Sequence, residues 1–139
     1  MNVTRRSVAR QMFLLLACMP VLCLTGCVGE SGPTRYDVTG EVKYNGSPVP
    51  YGEIMFEPDD SKGNSGPAAR AVIENGVYAT EKEKGVVAGA LRVRISGYDG
   101  KPPPGGGTQP HGKPLFAEYR DQVDQPEDVA THDFDVKGK

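Results

Sequence analysis

The sequence predicts an all-β fold: an antiparallel β-sandwich of about seven strands, preceded by an N-terminal signal helix. Three observations carry that prediction. The 18 glycines and 12 prolines are spread along the 139 residues as turn-formers rather than gathered into one repeat, which suits many short strands. Apolar residues recur at every second position in several stretches, the period of a half-buried strand. The dipeptides Asn45-Gly46 and Asn75-Gly76 adjoin such stretches, and Asn-Gly favours tight hairpin turns because both residues tolerate positive φ.

Residues 1–26 have the three parts of a secretory leader. Arg5, Arg6 and Arg10 form the basic part, and Met12 to Leu24 form an apolar run of 13 residues. That run contains Pro20 and is shorter than the ~20 apolar residues a membrane span needs. Leu24-Thr25-Gly26-Cys27 follows. This tetrapeptide resembles the lipobox of bacterial lipoproteins, which implies cleavage between Gly26 and Cys27 and a diacylglyceryl group on the Cys27 thiol. Cys18 and Cys23 would leave with the leader, so Cys27 would be the one cysteine kept and no internal disulfide could form. Two or three acyl chains at that residue give a lasting membrane anchor, since each buried methylene contributes about 0.8 kcal/mol. Val28 rather than aspartate follows the cysteine, which by the lipoprotein resemblance favours the outer membrane.

Residues 27–35 read as a lipidated tether and residues 36–139 as the folded domain. Tyr36 to Tyr44 is the first strand, with Val38, Gly40 and Val42 on one face and Thr39, Glu41 and Lys43 on the other. Asn45-Gly46 turns it, and Ser47 to Gly52, with two prolines, continues as an irregular turn. Glu53 to Glu57 is a second strand with Ile54 and Phe56 inward, and Asp59 to Pro67 is a polar loop. Residues 69–80 form a hairpin around Asn75-Gly76 that pairs Glu74 with Val77 and Ile73 with Tyr78. Glu81 to Lys84 is a charged connection, and Val86-Val87 is a short edge segment. Ala90 to Tyr98 is the strongest strand, with Leu91, Val93 and Ile95 facing in and Arg92 and Arg94 facing out. Asp99 to Pro114 holds Pro102-Pro103-Pro104 and Gly105-Gly106-Gly107, long for a connection inside a small domain. Leu115 to Tyr119 is a short strand or turn, residues 120–130 are polar, and Thr131 to Val136 closes the domain. The outward charges predict that Arg92 and Arg94 lie beside Asp133 and Asp135 on a neighbouring strand.

The run Val38-Thr39-Gly40-Glu41-Val42-Lys43-Tyr44-Asn45-Gly46-Ser47-Pro48-Val49-Pro50, leading into Gly52-Glu53-Ile54-Met55-Phe56, resembles the opening of a carboxypeptidase regulatory-like domain. Asn75-Gly76, Gly85 to Gly89 ahead of Leu91, and the closing Asp133-Phe134-Asp135-Val136 fit the same pattern. The resemblance implies a transthyretin-like sandwich without peptidase activity of its own.

Without the leader, 13 basic residues stand against 18 acidic, a net charge of −5. That balance argues against nucleic acid as a partner, because phosphate binding needs clustered Lys and Arg. His111 and His132 have no second ligand at metal spacing. Asp59 to Asn64 offers oxygen ligands but lacks EF-hand register and includes Lys62. No nucleophile elbow, phosphate loop or other cofactor motif occurs. The sequence therefore points to a non-catalytic structural, adhesion or binding module anchored to the cell envelope, with an envelope protein or glycan as its partner. The alternative is an accessory domain for a separate envelope enzyme. Tyr98, Phe116 and Tyr119 are expected first of all to finish the core; a ligand, where one binds, is expected to meet them together with the 99–114 loop.

Overall fold

The computed structural model describes residues 32–105 and 108–138. The leader, Gly26 and Cys27 lie outside these residues. The described chain is all-β apart from one short 3₁₀ turn, Asp60–Lys62. Its strands are β1 (Val38–Tyr44), β2 (Ser47–Pro48), β3 (Tyr51–Pro58), β4 (Ala69–Glu74), β5 (Val77–Ala79), β6 (Gly89–Tyr98), β7 (Tyr119–Gln125), β8 (Ala130–Thr131) and β9 (Phe134–Val136). Seven of them follow the antiparallel order β2-β1-β5-β4-β3-β6-β7, a curled, sandwich-like sheet. β8 and β9 run parallel to β1 along its other edge.

Alternation sets the core. Val38, Val42, Ile54, Phe56, Ile73, Tyr78, Leu91, Val93 and Ile95 are all buried, with Val49, Val86 and Val87 packing against them from the connections. Both Asn-Gly pairs adopt positive φ at each residue (50° and 80° at 45–46, 51° and 82° at 75–76), the geometry a two-residue hairpin turn requires. The second turn fixes the expected register, Ile73 opposite Tyr78 and Glu74 opposite Val77.

The structure corrects three expectations. Ser47-Pro48 is not irregular but pairs with Lys43 and Tyr44. The polar stretch after Leu115 contains a full strand, β7, paired with β6 over seven residues. It escapes an apolar pattern because it lies at the sheet edge, where only Tyr119, Val123 and Gln125 are even partly buried. Arg92 and Arg94 do not meet Asp133 and Asp135, because β6 lies between β3 and β7 while β9 pairs with β1. Arg94 instead bonds Glu57 on β3 at 2.7 Å, and Arg92 reaches Asp60 at 2.9 Å.

The closing strand has a built-in interruption. β1 pairs Val38 with Ala130 and Thr39 with Thr131, then resumes at Val42 with Phe134. The register is unbroken, and the His132 N–H still donates to the Thr39 carbonyl at 3.0 Å, but the next ladder bond, from the Glu41 N–H to the His132 carbonyl, is replaced. Tyr78, the cross-strand partner of Gly40, donates its hydroxyl to the His132 carbonyl at 2.7 Å. The Glu41 N–H, left over, donates to the Asp133 carboxylate at 2.7 Å. This exchange needs glycine at position 40: a Cβ there would fall 2.0 Å from the His132 oxygen and 2.9 Å from the Tyr78 ring.

Candidate functional site

The long loop after β6 is built on a defined base. Asp99 N–H donates to the Lys113 carbonyl and Gly100 N–H to the His111 carbonyl, which extends the end of β6 into a stalk. The Asp99 carboxylate accepts the N–H groups of Lys101 (3.0 Å) and Lys113 (2.9 Å). The Lys101 N–H in particular holds its pKa below the usual carboxylate range. Gly112 is required at this point, since a Cβ would lie 1.9 Å from that carboxylate.

Three rings meet beside this base. His111 stacks on Tyr51 with centroids 3.8 Å apart and planes 11° from parallel. Tyr98, paired across the strands with Tyr51, lies 6.1 Å from His111. Strand parity puts Tyr51 and Tyr98 on the outer face of the sheet, with Glu53, Met55, Arg94 and Ser96.

Of the three aromatics expected to form one ligand surface, the structure keeps only Tyr98 with the loop. Phe116 packs on the inner face, over Gly97 and 5.2 Å from Tyr44. Tyr119 is opposite Ile95 at the sheet edge and packs against the core. Its hydroxyl donates to Asp121 at 2.9 Å, and burial is the main cause of its raised pKa. Sequence reading did not single out Tyr51 and saw His111 only as an isolated loop histidine. The signal that joins them is the register of β3 on β6, which places Tyr51 opposite Tyr98.

The other expected candidates are occupied internally. Asp59 is buried and accepts from the Ser61 hydroxyl at 2.6 Å and the Ser61 N–H at 3.2 Å. The hydroxyl is the main reason its pKa is lowered. Asn64 donates its side-chain amide to the carbonyls of Ala88 and Ala90. The Gln125 amide nitrogen donates to the carbonyls of Pro126 and Asp128, so its oxygen faces His132 Nε2 at 3.0 Å and the imidazole carries its proton there. Burial lowers the His132 pKa. Among the described residues no three His, Cys, Asp or Glu side chains gather as a metal site.

Two shallow grooves mark the outer face. One, of about 530 Å³, is lined by Glu57, Arg92, Arg94, Arg120 and Gln122. The other, of about 710 Å³, lies over β4 and β5, where Val72 and Val77 are exposed among Glu53, Arg70 and Glu74. The geometry offers surfaces for contact: an aromatic corner under a Pro/Gly loop and a charged sheet face. No protein-family model, curated protein or solved structure matches this chain.

Proposed function

We propose that this chain is a bacterial lipoprotein, held to a membrane of the cell envelope through Cys27, whose β-domain is a non-catalytic binding module. The observation that carries the reading is the leader: a basic start, a short apolar run and Leu24-Thr25-Gly26-Cys27, nine residues ahead of Tyr36. The outer membrane is the favoured location because Val28 follows the cysteine. We read the domain as transthyretin-like, of the carboxypeptidase regulatory-like kind. Support comes from the opening motif, whose residues form β1, an Asn-Gly turn into the short β2, and then β3. The ligand is an envelope protein or glycan, and it meets the Tyr51, Tyr98 and His111 corner beside the 99–114 loop.

Cys27→Ser should abolish labelling by a radioactive or clickable fatty acid and leave the chain unprocessed. A mutant that is still lipidated and membrane-bound would sink the reading. For the module itself, the lipidated protein is used to pull partners from solubilised membranes and to bind isolated peptidoglycan. Retention lost in Tyr51→Ala and His111→Ala supports the aromatic corner. Stable recovery of one enzyme whose activity the domain alters would replace the binding-module reading with the accessory one.

A further inference from the structure

The open edge of β7 carries a pattern that the binding reading does not use. The Ala90 carbonyl accepts from Asp59 N–H on the β3 side, and the Gly97 carbonyl accepts from Leu115 N–H on the β7 side. Alternation then assigns Leu91, Val93 and Ile95 to the β7 ladder. Their partners Val123, Asp121 and Tyr119 use their backbone groups inward. The backbone groups of Arg120, Gln122 and Asp124 therefore face outward, and among the described residues β7 ends the sheet. No proline or bulge interrupts this seven-residue strand, and the three outward residues are exposed.

Charged residues usually blunt such an edge by repelling a second copy. Here they do the opposite. We infer that β7 is a self-pairing edge, whose partner is a second copy of this chain docked antiparallel about a two-fold axis through Gln122. In that register Gln122 opposes Gln122, and Arg120 of each copy opposes Asp124 of the other. These are the three positions whose backbone groups face away from β6, and 122–122 and 120–124 are both hydrogen-bonded pairs in one antiparallel ladder. The pairing is isologous and closes on itself, so it gives a dimer and not a fibre. It joins two sheets into one, with two opposite-charge pairs on the outer face. The Gln122 N–H is capped in the monomer by the Asp121 carboxylate at 2.8 Å. Pairing replaces that local bond with one to the partner's carbonyl.

The register makes the test specific. Full-length protein in detergent micelles is studied by sedimentation velocity over a range of concentrations. Wild type should dimerise reversibly. Arg120→Asp places two acids opposite each other, and Asp124→Arg places two cations, so each variant alone should raise the dissociation constant by about tenfold or more. Mixing the two variants should restore association, because every pair across the two-fold then regains opposite charges. Gln122→Pro, which removes the central donor without removing a charge, should also weaken the dimer. Circular dichroism confirms that each variant is folded; these side chains are exposed, so the core is not at stake. A wild type that stays monomeric up to about millimolar concentration overturns the inference, as does a dimer that survives all three variants or fails to recover on mixing. None of these outcomes depends on whether Cys27 is lipidated, because the Cys27→Ser chain carries the same edge.

Discussion

At the residue scale, Gly40, Tyr78 and His132 are one arrangement. The Tyr78 hydroxyl satisfies a carbonyl that the strand ladder has abandoned, and Gly40 leaves room for it. Tyr78→Phe should lower stability by about 1 kcal/mol, toward the low end of the cost of an unmet acceptor because the bond is only part-buried. Gly40→Ala should lower it by about 3 kcal/mol, because a backbone oxygen cannot step aside. Urea denaturation of both variants checks the order; equal losses would mean the clash is relieved by a shift of the closing strand. His132 adds a pH dependence. Burial holds its folded pKa below the ordinary 6.5, against a smaller opposing pull from Asp133. The unfolded chain therefore binds the proton more readily. This contribution is fully present above about pH 6.5 and is lost as pH falls from there through the lowered folded value. The Tm of wild type should drop more between about pH 7.5 and pH 5.5 than that of His132→Gln, followed by calorimetry. The carboxylates of Asp59, Asp99 and Asp135, all with lowered pKa, act in a separate and more acidic window, below their ordinary value near 3.8.

At the element scale, the two Asn-Gly turns look alike in sequence and differ in surroundings. A Cβ at Gly46 would meet nothing within 4 Å, whereas at Gly76 it would fall 2.6 Å from the Pro48 ring. Gly46→Ala should cost about 1 kcal/mol, for the left-handed backbone alone, and Gly76→Ala distinctly more. Matched thermal melts decide it; similar shifts would show that Pro48 yields freely. The strands β1, β3, β4, β5 and β6 were legible because each buries one face and so shows a period of two. β7 was not, because an edge strand that buries little needs few apolar residues. Charge matching misled for a related reason. Arg92 and Arg94 found acids, but on β3 and the adjoining 3₁₀ turn, since an exposed pair is worth only ~0.2–1 kcal/mol and cannot choose a strand's neighbour.

At the scale of the whole molecule, the sequence disclosed an all-β domain and its turns but not the strand order. Order depends on contacts such as Tyr36 with Val86 or Val42 with Phe134, which local pattern does not encode. The same gap hid the aromatic corner, since Tyr51 and Tyr98 are 47 positions apart and meet only through the register of β3 on β6. The parallel pairing of β1 with β8 and β9 also has a mechanical meaning. The chain enters the domain at the start of β1 and leaves it after β9, and these adjacent strands point the same way. Pulling the two ends apart therefore slides one strand along the other and loads all their hydrogen bonds together, instead of peeling them open singly. Stretched end to end in an optical trap, the domain should yield at a clearly higher force than when held across the β4–β5 hairpin, where the same pull unzips one bond at a time.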